Sequence, residues 1–298
     1  MPHQFLGHLR PRRREPDMTA STDTFIAQVA EAAAREAGAL IRTSFLEAAR
    51  GAVLGVEEKH GYADIVTITD KQSERLIWRV IRAHVPDSRI LGEESGWQGE
   101  GEVVWYVDPI DGTSNFASGL PFFCVSIAAF GADGTPIVGV VYDPMQDEMF
   151  TTHSGQLLLN GVAVTPAVRA RSDRDAELLT NLPREGSRPT AVELERFGDL
   201  VMNFRAVRRL GSAALQLAYV AIGRAAINYD EGCHPWDIAA GLQLVAASGG
   251  QLLCWSKEDN HLIADPLARL ETVNKFVVTT PEYDLRNSAV LTGWASVS

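Results

Sequence analysis

Residues 105–116 read WYVDPIDGTSNF. An apolar strand runs into Asp108, Pro109 stops it, and Asp111 and Gly112 follow before a threonine that opens a helix. Proline brings no N–H to a sheet ladder, and the first turn of a helix leaves backbone N–H groups without partners. The stretch therefore gathers two hard carboxylates and several free amides around one point. Divalent cations take oxygen donors of that kind, and phosphate groups take the amides. Read alone, the same residues also fit one Asp capping a helix and another making a turn. The rest of the chain bears on that choice.

Three further elements stand at intervals along the chain. Glu93 and Glu94 lie in RILGEES after a short β-rich stretch, Asp237 lies in HPWDIAAG (234–241), and Lys59 precedes DIVTITD, which ends at Asp70. Each has an ordinary reading by itself. A lone lysine in the polar, glycine-containing run EEKHGYAD is a solvated loop residue, and Asp237 after Pro235 and Trp236 matches the dipole at a helix start. His234 reads as a loop histidine and Trp236 as a packing residue. Together, in this order over residues 59–241, the four elements resemble the inositol monophosphatase family. WYVDPIDGTSNF is similar to its first signature and HPWDIAAG to its second.

That resemblance implies a Mg²⁺-dependent, lithium-sensitive phosphatase of α/β class, built as the layered α-β-α-β-α sandwich of the sugar phosphatases and dimeric as a rule. It implies a catalytic domain over residues 19–298, with subdomains of about 19–170 and 171–298 and the metal site between them. One Mg²⁺ would fall to Glu93, Asp108 and the carbonyl of Ile110, whose side chain reads as core. A second would fall to Asp108, Asp111 and Asp237, and a third, weaker ion to the neighbourhood of Glu93. Gly112 and Thr113 would offer amides to the phosphate. The Thr113 hydroxyl with Asp70, and Glu93 from the metal side, would orient the attacking water. Asp230 aligns with a substrate-binding glutamate of the family and is one methylene shorter, while Gly211, Ser212 and Ala213 match a substrate-facing turn. Ser114-Asn115-Phe116 stands where relatives acting on histidinol phosphate or 3′-phosphoadenosine 5′-phosphate carry a lysine. The resemblance thus leans toward inositol monophosphate or a similar polyol phosphate. Histidinol phosphate and fructose 1,6-bisphosphate are the alternatives among enzymes, and a regulatory binding partner with a vestigial site is the alternative of another class.

Composition frames this reading independently. A chain of 298 residues can bury roughly three quarters of its unfolded surface, enough for one large unit or two joined subdomains. The 46% hydrophobic and 22% charged content is that of a globular enzyme, with no apolar run near the ~20 residues of a membrane span. A net charge of −11 disfavours an extended nucleic-acid surface. It is compatible with a phosphorylated small molecule, because bound cations invert the sign of an acidic pocket. Cys124, Cys233 and Cys254 lack metal-ligand spacing and read as reduced thiols of a cytoplasmic protein, two of them in the core. Residues 1–18, rich in arginine and proline, read either as a flexible arm or as sequence upstream of a start at Met18.

Periodicity gives the elements. Phe25, Ile26, Val29, Ala33, Ala37, Leu40, Ile41 and Phe45 predict a helix over 22–50, and Leu76, Ile77, Val80 and Ile81 another over 70–84. Turn residues between short apolar runs predict a meander with strands at 122–130, 136–142, 148–152, 156–159 and 162–165. Beyond residue 176, strands alternate with helices near 190–203, 212–223, 236–248 and 282–290, the pattern of a layered α/β unit.

Overall fold

The structure, a computed structural model, describes residues 18–62, 64–184, 186 and 188–295, so all of the N-terminal arm except Met18 lies outside the described residues. Helices α1 (Met18–Ala48) and α2 (Ile68–His84) flank a hairpin of β1 (Glu57–Gly61) and β2 (Asp64–Val66). Next come β3 (Ser88–Gly92), β4 (Gly96–Gln98), β5 (Val103–Asp111) and the short α3 (Thr113–Ser118). The meander follows as β6 (Cys124–Gly131), β7 (Pro136–Asp143), β8 (Glu148–His153), β9 (Gln156–Leu159) and β10 (Val162–Ala163). The second half runs β11 (Glu177–Leu179), α4 (Ala191–Asn203), β12 (Ala206–Arg208), α5 (Ala213–Ala221), β13 (Ile227–Glu231), α6 (Pro235–Ala247), β14 (Gln251–Ser256), β15 (Val273–Thr279) and α7 (Ala289–Ala295).

Among the described residues these strands form an eight-stranded sheet, ordered β10-β9-β8-β7-β6-β5-β3-β4, and a five-stranded sheet, ordered β12-β11-β13-β15-β14. Helices α1 and α2 cover one face of the large sheet, α5 and α6 fill the space between the sheets, and α4 lies outside with α7 and β12. The result is the α-β-α-β-α sandwich that the resemblance implied. Its central strands are apolar at successive positions because both faces are covered. Along β6, Val125, Ile127 and Ala129 join the core under α1 and α2, whereas Cys124, Ala128 and Phe130 join the core under α5 and α6.

Four expectations are corrected. Pro109 does not end β5, which continues to Asp111 through an irregularity against β6. Lys59 is not a loop residue. It lies in β1, where five-residue and three-residue strands pair locally, too short for periodicity to reveal. No helix spans 282–290; Leu285–Asn287 make one 3₁₀ turn, Ser288 is extended, and α7 begins at Ala289. Asp173 accounts for that break, because it accepts the Tyr283 hydroxyl at 2.5 Å and the Ala289 amide at 2.7 Å, holding 283–289 to the body of the protein. On α1, Phe25 is also 45% exposed, and Ala27 and Ala30 take the buried positions beside it.

Candidate active site

The decisive local feature is the kink in β5. Asp108 faces Ser126 and Asp111 faces Cys124, so three steps along β5 match two along β6. Side chains alternate across a strand, and residues at an odd spacing ordinarily point to opposite faces. The extra residue of a bulge cancels that alternation. It turns Asp108 and Asp111 toward one cleft of about 760 Å³, which Glu93, Thr113 and Asp237 also line. Immediately after, Gly112 has φ +102°, a left-handed conformation that favours glycine, and a Cβ there would come within 3.1 Å of the carbonyls of Gly211 and Phe122. Gly112 therefore occupies the N-cap position of α3, and Thr113 is the first helical residue.

Each acid is held by its own element. Asp108 accepts the Ile110 amide at 2.9 Å. Asp111 sits in a cradle at the start of α5, accepting the Ser212 hydroxyl at 2.5 Å, the Ala214 amide at 2.7 Å and the Ala213 amide at 3.2 Å. Asp237, at the third position of α6, accepts the His234 amide at 2.7 Å. Asp70 caps α2, with one oxygen accepting the Thr67 amide at 2.8 Å and hydroxyl at 2.5 Å. Its other oxygen accepts the Thr113 hydroxyl at 3.0 Å, so two residues paired by resemblance are in contact. The same hydroxyl lies 2.9 Å from the Ile110 carbonyl. Having one proton, Thr113 can serve only one of these acceptors at a time.

The electrostatics are those of an anion cluster with little compensation. Burial raises the pKa of Asp108 well above the carboxylate range, and the charges of Glu93, Asp111 and Asp237 add to it. Burial and then Asp111 do the same to Asp237. Asp111 is also raised by burial, against the pull of its Ser212, Ala214 and Ala213 donors. Burial pushes Glu93 up to about 7 although Lys59 opposes it. Lys59 donates to Glu93 at 2.9 Å and to Glu94 at 2.6 Å. Burial works against its charge, but the two glutamates outweigh it and hold the ammonium above its ordinary pKa. Among the described residues, no three of these groups converge into a formed coordination shell. The donor set nonetheless fits a hard divalent cation, being all carboxylate oxygen on one cleft wall and mutually repulsive in its absence.

The expected substrate contacts divide. Gly211 and Ala213 line the cleft, whereas Ser212 is 1% exposed and spends its hydroxyl on Asp111. Asp230 lines the cleft but is 2% exposed, and its oxygens accept the amides of Asn181 at 3.0 Å and Glu231 at 3.1 Å. Burial pushes its pKa up to about 7. Two supporting residues were not anticipated. Glu74 is buried and accepts the Glu94 amide at 2.8 Å, fixing the backbone beside Glu93. Its signal was available, since it stands one turn from Asp70 and on the Ile77 face of α2. Asn115 ties α3 to the second half by donating to the carbonyls of Phe122 and Leu210, each at 2.7 Å, and no local pattern announces that.

A model of the inositol monophosphatase family matches residues 23–290. The Nus factor SuhB of Escherichia coli (strain K12) is 39% identical over 242 residues, covering 79% of this chain and 87% of its own. Inositol monophosphatase 2 of Solanum lycopersicum is 36% identical over 251 residues, covering 80% and 91%. Among solved structures, the extragenic suppressor protein suhB from Bartonella henselae superposes with a TM-score of 0.73 at 30% identity, over 86% of this chain and 93% of its own.

Proposed function

The chain belongs to the inositol monophosphatase family, and from that premise we propose that its cleft hydrolyses small phosphate monoesters with Mg²⁺, inositol monophosphate or a similar polyol phosphate foremost. The observation that carries this reading is the β5 bulge, which turns Asp108 and Asp111 onto the wall shared by Glu93 and Asp237. Glu93, Asp108, Asp111, Asp237 and the carbonyl of Ile110 would hold two to three Mg²⁺. Bound there, such ions lower the pKa of water toward neutrality and neutralise charge on the leaving oxygen.

The chain's own residues do the rest. Gly112 and Thr113 present amides to the phosphate; α3 has only six residues, so these amides rather than a long helix dipole form the seat. When Thr113 donates to Asp70, the Ile110 carbonyl keeps its lone pairs and the Thr113 oxygen can accept a proton from water in the cleft. Asp70, its pKa raised by burial, is the better base for the proton that Thr113 passes on. Glu93, which lines the same cleft, would orient the same water. Gly211 and Ala213 face the rest of the substrate. A homodimer in the cytoplasm is the setting this reading carries with it, and among the described residues no helix is long and apolar enough to cross a membrane.

Purified full-length protein should release inorganic phosphate from such esters with Mg²⁺, stop on chelation and resume on Mg²⁺ addition. Asp111→Asn should lower kcat by about 10²–10³-fold, because an amide cannot satisfy the two backbone donors and the hydroxyl that hold the carboxylate. Release at the wild-type rate by this variant would sink the assignment. A relative named Nus factor favours a second reading, a binding partner of a larger complex, which gains if no ester tried is hydrolysed.

A further inference from the structure

Asp230 is 2% exposed and each of its oxygens already accepts one backbone amide, which leaves it only part of its acceptor capacity for substrate hydroxyls. Another part of the wall can therefore contribute to selectivity. A second cavity, of about 460 Å³, adjoins the cleft, and Arg184 and Glu231 line both. Arg184 lies over Gly232 so closely that a Cβ there would sit 2.2 Å from its Nη1. Arg196 lines the same cavity, together with the apolar side chains of Phe197 and Leu200.

The charges of this cavity are unevenly committed. Glu231 accepts the Tyr229 hydroxyl, and Glu193 accepts the amide and hydroxyl of Thr190 at 2.7 and 2.8 Å. Asp199 also lines the cavity, and its carboxylate adds negative charge there. Among the described residues neither Arg184 nor Arg196 is hydrogen-bonded or within ion-pair distance of an acid, although Arg196 stands close enough to Glu193 to interact with its charge. Lys59, the other strong cation on the cleft wall, is occupied by Glu93 and Glu94. Two guanidinium groups beside apolar walls, opening onto a phosphate site, suit a planar or tetrahedral oxyanion that each can grip through paired N–H donors. We infer that the substrate site extends past Gly232 into this cavity and there takes a second anionic group, a phosphate or carboxylate, carried by the same small phosphate ester. This rests on the phosphatase reading of the cleft.

The test uses two sugar phosphates that differ only in the second anion, fructose 1,6-bisphosphate and fructose 1-phosphate, with the full Mg²⁺-loaded chain. The ratio of their kcat/KM values should favour the bisphosphate and should fall by about tenfold or more in Arg184→Ala and in Arg196→Ala. Arg184→Lys, which keeps the charge without the paired donors, should fall less. A ratio unmoved in both alanine variants overturns the extension. If the wild type hydrolyses neither ester, the phosphatase reading fails separately, and calorimetric titration decides the subsite. The Kd ratio should then shift by the same factor, and equal Kd values for the two sugars, or no binding of either, overturn the inference.

Discussion

Asp237→Asn will lower phosphate release by at least about a hundredfold while making the metal-free protein more stable, since even an outer-shell partner of a metal is worth roughly 10–100-fold. The expectation follows from the two jobs of one carboxylate. One oxygen accepts the His234 amide at the start of α6, a bond an asparagine carbonyl can keep. The other faces the cleft, where burial first and then the charges of Asp111 and Glu93 push the Asp237 pKa upward. Replacing that oxygen by an amide preserves the helix start, removes one of several like charges and deletes a proposed cation ligand. For a chain of this size the gain in the presence of chelator should be on the order of 2–4 °C in Tm. Full activity in this variant, with an unchanged Tm, would reduce Asp237 to a helix cap.

Divalent cation and pH should act on stability through the same cluster. The carboxyls of Asp108, Asp111 and Asp237 have pKa values raised above the ordinary 3.8, and Glu93 is raised from 4.5 to about 7. The folded protein therefore binds these protons more tightly than the unfolded chain does. The associated stability is complete below about pH 4 and is lost as pH rises through the raised values. Chelator-treated protein should thus have a lower Tm near pH 8 than near pH 5, once other titrations are subtracted with the Asp237→Asn variant as reference. On the proposed function Mg²⁺ would replace the protons as counter-charge, so at about 100 times its Kd it should stabilise the protein by roughly 2.7 kcal/mol at the higher pH and by far less at the lower. Equal Tm values with and without Mg²⁺ near pH 8 would contradict the account.

How far the sequence could be read is clear from particular residues. Asp70 and Thr113 stand 43 positions apart, yet the resemblance paired them and the structure puts them in hydrogen-bond contact. The helices and the meander were legible because burial on one or two faces imposes periodicity on the chain. The β5 bulge was not. Pro109 reads locally as a stop, and only the register against β6 reveals that the strand continues and that Asp108 and Asp111 share a face. Ser212 was expected to face substrate, but its hydroxyl is claimed by Asp111 from 101 positions away, a claim that no spacing encodes. Lys59 was misplaced for a related reason, as its strand exists only through a partner of three residues. Arg184, exposed in a loop, carries no sequence pattern and gains meaning only from the two cavities it lines.

Glu93, Asp108, Asp111 and Asp237 should together hold divalent cations beside the seat formed by Gly112 and Thr113. Crystals of the full chain soaked in Mn²⁺, with data collected at the manganese absorption edge, test that binding most directly. Anomalous peaks should appear in the cleft, at least two of them, with Asp108 contacting both. Manganese bound only outside the cleft, or a cleft without any anomalous peak in crystals that bind Mn²⁺ elsewhere, would contradict it.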